Sequence, residues 1–333
     1  MIDALIQNGI QFTLAVQAWA GSLAPVWDAI SQLGTTEFYL LVMPLIYWCV
    51  NAAFGIRLAV MLLFGAAFNH ILKLALHLPR PYWVQSEVRG YWAESSFGAP
   101  SGHAQVPLGM WGLAAATSRR RWFTALAFVA VASIGFSRIA LGVHFHFDVL
   151  MGWLLAGLTL WLFLKYERPA GDWLKKRTAA ELVLVALAAS LALVALGALA
   201  VLVSGNFMFP AAWEQNSLAD TGETLSEVFS LGGVITPAGA LFGFGAGLAW
   251  LRSRGGFDTA GTLRQRALRY LLGGAVVLII WMGLGSIFPR GQDLLSQGLR
   301  FLRYTLVGFW AAGGAPVLFV RLGLAKASKS TWK

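Results

Sequence analysis

Side chains that could do chemistry are concentrated in three short stretches of this 333-residue, otherwise apolar chain. The first stretch has the pattern KxxxxxxRP, the second is PSGH and the third is SRxxxxxHxxxD. They supply Lys73, Arg80, Pro81, Pro100, Ser101, Gly102, His103, Ser137, Arg138, His144 and Asp148. Cations, histidines, a hydroxyl and a carboxylate are the groups that a phosphate-transfer site uses, because catalysis of phosphoryl transfer is mostly positioning and charge stabilisation.

Five of these residues are predicted to bind the phosphate group. The planar guanidinium groups of Arg80 and Arg138 match two phosphate oxygens and keep their charge, and Lys73 adds a point charge. Ser101 can donate its hydroxyl. Gly102 lies where a new helix is expected to begin, and the free N–H groups of a helix N-terminus favour an anion.

Three further residues are predicted to carry out the reaction. His144 and Asp148 are four residues apart, so they share a face if the segment is helical. A carboxylate bonded to one imidazole nitrogen leaves the lone pair of the other free to attack, which makes His144 the nucleophile and the intermediate a phosphohistidine. His103 is then the general acid for the leaving oxygen and the base for water. Because cations neutralise the phosphate and the sequence has neither HExxH nor paired CxxC, no metal and no cofactor are expected.

Other histidines and aromatic residues near the motifs have simpler interpretations. His70, His77 and His146 are predicted to be packed, hydrogen-bonded side chains. The pairs Tyr82-Trp83 and Tyr91-Trp92 are predicted to anchor the protein at the membrane surface, with a wall of the substrate entrance as the alternative.

The elements that must position these groups are membrane helices. The chain is 58% hydrophobic and only 12% charged, whereas a soluble domain has about 25% charged residues. A transmembrane helix needs ~20 mostly apolar residues. The segments that fit are 37–54, 57–77, 103–118, 122–142, 146–165, 180–204, 228–250, 269–288 and 300–322. The sequence therefore predicts an all-α fold, a polytopic membrane helical bundle with about nine transmembrane helices.

The motifs divide the predicted bundle into three parts. Residues 1–36 form an N-terminal interfacial segment, in which 8–33 fit an amphipathic helix better than a tenth span. Residues 37–166 form the catalytic phosphatase helical core. Residues 167–333 form a C-terminal four-helix membrane region of unknown role, in which glycines at every fourth position around Gly243 predict close helix packing.

The basic residues predict the orientation of the spans. They cluster in alternate connections, which the positive-inside rule places in the cytoplasm. The clusters are 119–121, 165–177, 252–269 and the three residues Lys326, Lys329 and Lys333. The motifs then face outward from a bacterial cytoplasmic membrane. Since these loops account for the net charge of +10, no nucleic-acid partner is expected.

Taken together, the three patterns resemble the motifs of the type 2 phosphatidic acid phosphatase superfamily. The resemblance implies an all-α bundle with its site at the outer or lumenal face, and it carries the nucleophilic, acid and phosphate-binding roles over to the positions assigned above. The stretch from Glu37 to Trp83 is similar to the glucose-6-phosphatase and sphingosine-phosphate phosphatase branch. Asp148 departs from the glucose-6-phosphatase pattern, so the branch and the substrate stay open.

Three functions are compatible with this sequence. The favoured one is an integral membrane phosphatase that hydrolyses a phosphomonoester or diphosphate, above all a lipid phosphate, at the extracytoplasmic face. The alternatives are glucose-6-phosphatase-like hydrolysis of a soluble sugar phosphate and, in another class, a non-catalytic lipid or phosphate carrier. The expected partners are a phosphorylated lipid or small-molecule substrate and the membrane lipids, with the oligomeric state left open.

Overall fold

Every regular element of the described chain is helical. The computed structural model describes residues 2–205 and 207–328, and these ranges contain no β-strand, which confirms the all-α fold class. The helices are α1 (Ile2–Ala20), α2 (Ala24–Gln32), α3 (Thr36–Leu45), α4 (Ala52–Leu76), α5 (Pro81–Val84), α6 (Gly102–Ser118), α7 (Arg121–Ala140), α8 (His146–Lys175), α9 (Ala179–Val203), α10 (Ala211–Thr221), α11 (Gly232–Ser253), α12 (Leu263–Leu278), α13 (Leu284–Ile287), α14 (Leu294–Phe309) and α15 (Ala315–Arg321).

Seven stretches of the described residues are long and apolar enough to cross a membrane. They are Ile2–Val50, Ala52–Val84, Arg121–Ala140, His146–Lys175, Ala179–Val203, Gly232–Ser253 and Leu263–Ile287. The two other predicted spans are also helical, as α6 and as α14 continued through a π-helical turn into α15. The chain is therefore an integral membrane protein with a polytopic helical bundle, close to the predicted nine helices. The interfacial placement of residues 8–33 stays a prediction.

All three motifs lie in one of the two compact units of the chain. This first unit comprises Met1–Phe38, Phe68–Leu162 and Gly197–Ser230. Within it, α7 packs against α6 and also against α2. The turn between α7 and α8 requires a glycine, because Gly142 has φ +68° and a Cβ there would run into the carbonyl oxygen of Arg89. That tight turn places His144 close to the end of α7.

The aromatic pair Tyr82-Trp83 lies in the apolar core of this first unit. The two side chains are only 1% and 0% exposed, so the prediction that they anchor at the membrane surface was wrong. Pro81 starts the single helical turn α5, and that turn carries both rings into the core with Phe97 and Phe145. Burial of these large rings within the protein supplies more contact area than a position at the surface.

The second compact unit comprises Tyr39–Ala67, Phe163–Leu196 and Leu231–Lys333. Its α11 packs along α14. A Cβ at Gly239 would lie 2.6 Å from the carbonyl oxygen of Phe301, and one at Gly247 would lie 2.7 Å from that of Phe309. The predicted close packing of the glycines is therefore confirmed. Lys329 and Lys333, from the last predicted basic cluster, lie outside the described residues.

Candidate active site

Arg80 is held at the centre of the site by the backbone around it. It precedes Pro81, which favours extended backbone at the residue before it, and its φ and ψ are −97° and 155°. Its side chain is fully buried. Nε donates to the carbonyl oxygen of Ser96 at 2.7 Å, and Nη1 donates to that of Val143 at 2.9 Å. These bonds fix the guanidinium between the segment after α5 and the turn before α8.

His144 lies between Arg80 and Asp148. Its Nε2 is 3.3 Å from Arg80 Nη1, and its Nδ1 is 3.3 Å from Asp148 Oδ2. A guanidinium has only donors, so Nε2 must be the acceptor and Nδ1 must carry the proton. Asp148 Oδ2 also accepts from the Phe145 amide at 2.9 Å. This tautomer leaves a lone pair on Nε2, as a nucleophile requires.

The surroundings of His144 keep its imidazole neutral. Burial comes first, and the positive charges of Arg80, Lys73 and Arg138 add to it, so the pKa of His144 is held well below its usual value. Burial disfavours the charged form, and nearby cations repel a proton. A neutral imidazole at neutral pH is the form that can attack phosphorus.

The PSGH stretch is held at the start of α6 by two neighbours. The Ser101 amide donates to the carbonyl oxygen of Asp148 at 3.0 Å. Asn69 Nδ2 donates to the carbonyl oxygen of Pro100 at 3.1 Å and to Gln105 Oε1 at 2.7 Å. These contacts fix where α6 begins, with Gly102 as its first residue.

Two polar groups at the start of α6 are buried without a hydrogen bond among the described residues. They are Ser101 Oγ and His103 Nε2. Buried polar groups are normally hydrogen-bonded, and leaving one unsatisfied costs about 1–3 kcal/mol. The positive charges of Arg138, Lys73 and Arg80 all act on His103, so this ring lies within reach of the cation cluster. A bound anion would satisfy both groups.

Lys73 and Arg138 complete the cluster of cations. Lys73 Nζ donates to the carbonyl oxygen of Phe97 at 2.8 Å and to Ser96 Oγ at 3.0 Å. Arg138 is fully buried at the end of α7, and its Nη1 donates to Ser31 Oγ at 2.7 Å. The structure thus brings the side chains of the three motifs together. The spacing of the motifs in the sequence could not establish that they meet.

Three side chains that contact the cations of the site were missed by the sequence analysis, among them Ser96, whose Oγ accepts from Lys73 Nζ at 3.0 Å. Glu94 pairs with both Arg80 and Arg138, and Ser31 holds Arg138 from the N-terminal segment. Burial opposes ionisation of Glu94, but the two guanidinium groups outweigh it and hold the pKa of its carboxyl below the usual value. The available signal for Glu94 was a carboxylate in the predicted outer connection between two motifs. Ser31 carries no such signal, because it is one serine among many.

The remaining histidines are packed, as predicted, but the predicted hydrogen bonds are only partly present, because His77 Nε2 and His146 Nδ1 are buried with no hydrogen-bond partner among the described residues. His70 Nε2 lies 3.3 Å from the carbonyl oxygen of Ser230. The ring of His77 stacks on Phe207 with centroids 4.5 Å apart, and His146 lies 4.9 Å from the ring of Phe12. Within the described ranges, no three His, Cys, Asp or Glu side chains are grouped so that they could hold a metal ion.

Two family models match this chain. Residues 54–172 match the model described as PAP2 superfamily, and residues 235–327 match the model described as PAP2 superfamily phosphatase, transmembrane extension. Among solved structures, the chain is similar to the first transmembrane PAP2 type phosphatidylglycerolphosphate phosphatase from Bacillus subtilis. The identity is 22% and the TM-score 0.44, over 50% of this chain and 87% of that one. No curated protein matches the chain.

Proposed function

Since this chain belongs to the PAP2 superfamily and is a membrane phosphatase, we propose that it removes the terminal phosphate of a lipid phosphate or diphosphate through a phosphohistidine at His144. The observation that carries this proposal is the arrangement of the His144 ring. Its Nδ1–H faces a buried carboxylate, and its Nε2 lone pair faces the guanidinium of Arg80. That ring has the protonation and the oxyanion-binding neighbour that attack on a phosphate requires.

In the first step, the lone pair of His144 Nε2 attacks phosphorus, and the bond from phosphorus to the leaving oxygen breaks. Arg80, Arg138 and Lys73 stabilise the charge on the peripheral oxygens, together with Ser101 and the Gly102 amide. The negative charge of the bound phosphate favours the protonated form of His103, which then gives its proton to the leaving oxygen. The alcohol or shorter phosphate then departs.

In the second step, His103 removes a proton from water as the water attacks the phosphohistidine. The bond between Nε2 and phosphorus breaks, its electrons return to His144, and inorganic phosphate is released. Asp148 keeps Nδ1 protonated throughout and stabilises the positive charge that the ring carries in the intermediate. Since the cations and the helix start supply the charge stabilisation, we propose that the reaction needs no metal.

The lipid nature of the substrate is supported by where the cations lie. Lys73 lies in the last turn of α4 (Ala52–Leu76), and Arg138 lies in the last turn of α7 (Arg121–Ala140). Helix ends of this kind lie at the depth of lipid headgroups. The arginines of residues 119–121 lie at the opposite end of α7 from Arg138, which supports an outward-facing site under the positive-inside rule.

The function is tested by phosphate release from a panel of substrates. The purified protein is given phosphatidate, undecaprenyl diphosphate, sphingosine phosphate and glucose 6-phosphate, with His144→Ala as the blank. The wild type should hydrolyse the lipid phosphates, and His144→Ala should not. Hydrolysis of glucose 6-phosphate alone would replace the lipid proposal by the sugar-phosphate alternative, and lipid movement that persists in His144→Ala without turnover would support a carrier.

The intermediate is tested by labelling with a ³²P-substrate at low temperature. The wild type should carry acid-labile, alkali-stable phosphate, and His144→Ala should carry none. His103→Ala lacks the base for the second step, so any label that it forms should persist longer. Labelling of His144→Ala at the wild-type level would contradict the assignment of the nucleophile.

The orientation is tested in a Cys49→Ser background with single cysteines at exposed serines. Ser86→Cys lies in the segment that bears Glu94, and Ser118→Cys lies beside the arginine cluster. A membrane-impermeant maleimide applied to intact cells should label Ser86→Cys at once. It should label Ser118→Cys only after permeabilisation, and the reverse pattern would place the site in the cytoplasm.

A further inference from the structure

One acidic side chain lies inside the cluster of cations. Glu94 Oε2 is 3.3 Å from Arg80 Nη2, and Oε1 pairs with Arg138 Nη2. Both guanidinium groups are 0% exposed, whereas the Glu94 side chain is 20% exposed. A carboxylate thus occupies the point at which the two arginines meet, which is the point that the proposed function assigns to the substrate phosphate.

The residues that follow Glu94 supply further oxygens to the same cations. Ser96 Oγ accepts from Lys73 Nζ at 3.0 Å and from Arg80 Nη2 at 3.2 Å. The carbonyl oxygen of Phe97 accepts from the same two nitrogens at 2.8 and 3.2 Å. Glu94 is the member of this set that carries a charge, so its displacement sets the electrostatic cost of admitting an anion.

We infer that Glu94 selects for the charge of the phosphate group, excluding phosphodiester headgroups and giving way to the terminal phosphate of a monoester or diphosphate. The inference rests on the proposed function. A phosphodiester has one negative charge, whereas a terminal phosphate has about −1.5 to −2 at pH 7. If a phosphodiester replaces the Glu94 carboxylate between the two arginines, the net charge at that point is unchanged and the ion pairs of Glu94 are lost. A terminal phosphate adds negative charge between two buried arginines.

Such selection matters at a site next to a lipid surface. Membrane phospholipids with an esterified headgroup are phosphodiesters, and the anionic ones attract basic residues that lie at the membrane surface. Two buried guanidinium groups with no counter-charge would attract these lipids. Such lipids have no terminal phosphate to release, so they would only block the site. An internal carboxylate removes that attraction for every monoanion, because it already neutralises one charge.

Glu94 has a route out of the site that leaves the core intact. Its neighbours Ala93 and Ser95 are exposed, and the segment from 85 to 101 contains no helix. Because part of the Glu94 side chain already meets solvent, rotation about its own side-chain bonds moves the carboxylate into water. Ser96 and Phe97 need not move for the arginines to become accessible.

The test compares Glu94→Gln, which keeps the shape and removes the charge, with Glu87→Gln, which removes an exposed carboxylate from the same segment. The full-length protein in detergent hydrolyses dihexanoyl phosphatidate with or without dihexanoyl phosphatidylglycerol, a soluble diester. In Glu94→Gln, the diester should become a competitive inhibitor. The KM for the monoester should fall about tenfold, the typical worth of a hydrogen bond to a charged group. The wild type and Glu87→Gln should not be inhibited by the diester when its concentration equals the KM of the wild type for the monoester.

Three results would overturn the inference. The wild type is inhibited by the diester at that concentration, or Glu94→Gln still resists it, or KM rises in Glu94→Gln. A rise in KM would mean that Glu94 serves only to hold the arginines in place.

Anion binding is also measured without turnover, from the shifts in melting temperature that inorganic phosphate and dimethyl phosphate cause. The melting temperature of the wild type should rise with inorganic phosphate but not with dimethyl phosphate. The melting temperature of Glu94→Gln should rise with either anion. A protein that releases no phosphate from any monoester ends the proposed function, while these shifts still decide the inference. Glu94→Ala serves as a second neutral variant if Glu94→Gln does not fold, and a shift of the wild type by dimethyl phosphate contradicts the inference by itself.

Discussion

Replacement of Asp148 by asparagine removes one charge from the site and leaves its shape nearly unchanged. The side chain is 0% exposed, and Oδ2 accepts from His144 Nδ1 at 3.3 Å and from the Phe145 amide at 2.9 Å. The amide oxygen of an asparagine can accept both bonds. Asp148→Asn therefore isolates the electrostatic contribution of the carboxylate to the positive charge that develops on the ring during attack.

The magnitude follows from the separation of the two groups. Two unit charges 3.3 Å apart interact with about 5 kcal/mol at an effective dielectric constant of ~20. Since both side chains are buried, with His144 only 1% exposed, little of this is lost to solvent. Loss of this entire interaction would slow the phosphorylation of His144 by nearly 10⁴-fold. Because the site relaxes in part, we expect the rate in Asp148→Asn to fall by about 10³-fold.

Rapid-quench measurement of ³²P incorporation into the protein reports this step directly. Asp172→Asn is the matched control, because it removes a carboxylate from the same helix at a site where the side chain is 69% exposed, and it should leave the rate unchanged. The melting temperature of Asp148→Asn in detergent establishes that the variant is folded. A folded Asp148→Asn that phosphorylates within tenfold of the wild type would refute the assigned role of the carboxylate.

Three further outcomes are expected. Because burial, and after it the neighbouring cations, hold the pKa of His144 below its usual 6.5, the nucleophile stays unprotonated at neutral pH. The acid limb of kcat/KM, with the titration of the substrate divided out, should therefore lie below pH 6.5, and a midpoint above that value would contradict the lowered pKa. Ser31→Ala removes the acceptor of Arg138 Nη1, so KM should rise about tenfold, since a hydrogen bond to a charged group contributes ~1.5 kcal/mol or more; an unchanged KM would exclude a positioning role. Gly243→Ala should destabilise the fold by about 1–3 kcal/mol because its Cβ meets backbone. Gly274→Ala lies inside α12 with open space around it and should keep or slightly raise the melting temperature, because alanine is the better helix former. Equal destabilisation by the two changes would show that the close approach does not matter.

The local features of this chain could be read from its sequence. Apolar segments of sufficient length predict membrane helices, because backbone N–H and C=O groups in lipid have no water to bond and a helix satisfies them within the segment. Helices lie at all nine predicted positions, and the small-residue spacing around Gly243 marked a true close approach of two helices. The identities and the spacing of the motif residues indicated phosphate chemistry, because so few combinations of side chains can stabilise a transferring phosphoryl group.

Only the tertiary structure decided what holds those residues and what competes for them. Glu94 reaches Arg138 across 44 residues, and Ser31 reaches it across 107. Contacts of this kind leave no periodicity in a sequence, since they depend on how helices pack after they have formed. The same holds for Tyr82 and Trp83, whose aromatic character suited a membrane surface as well as a core. Their burial was settled by the short helix that follows Arg80, because it turns both rings towards the apolar interior of the unit that contains the site.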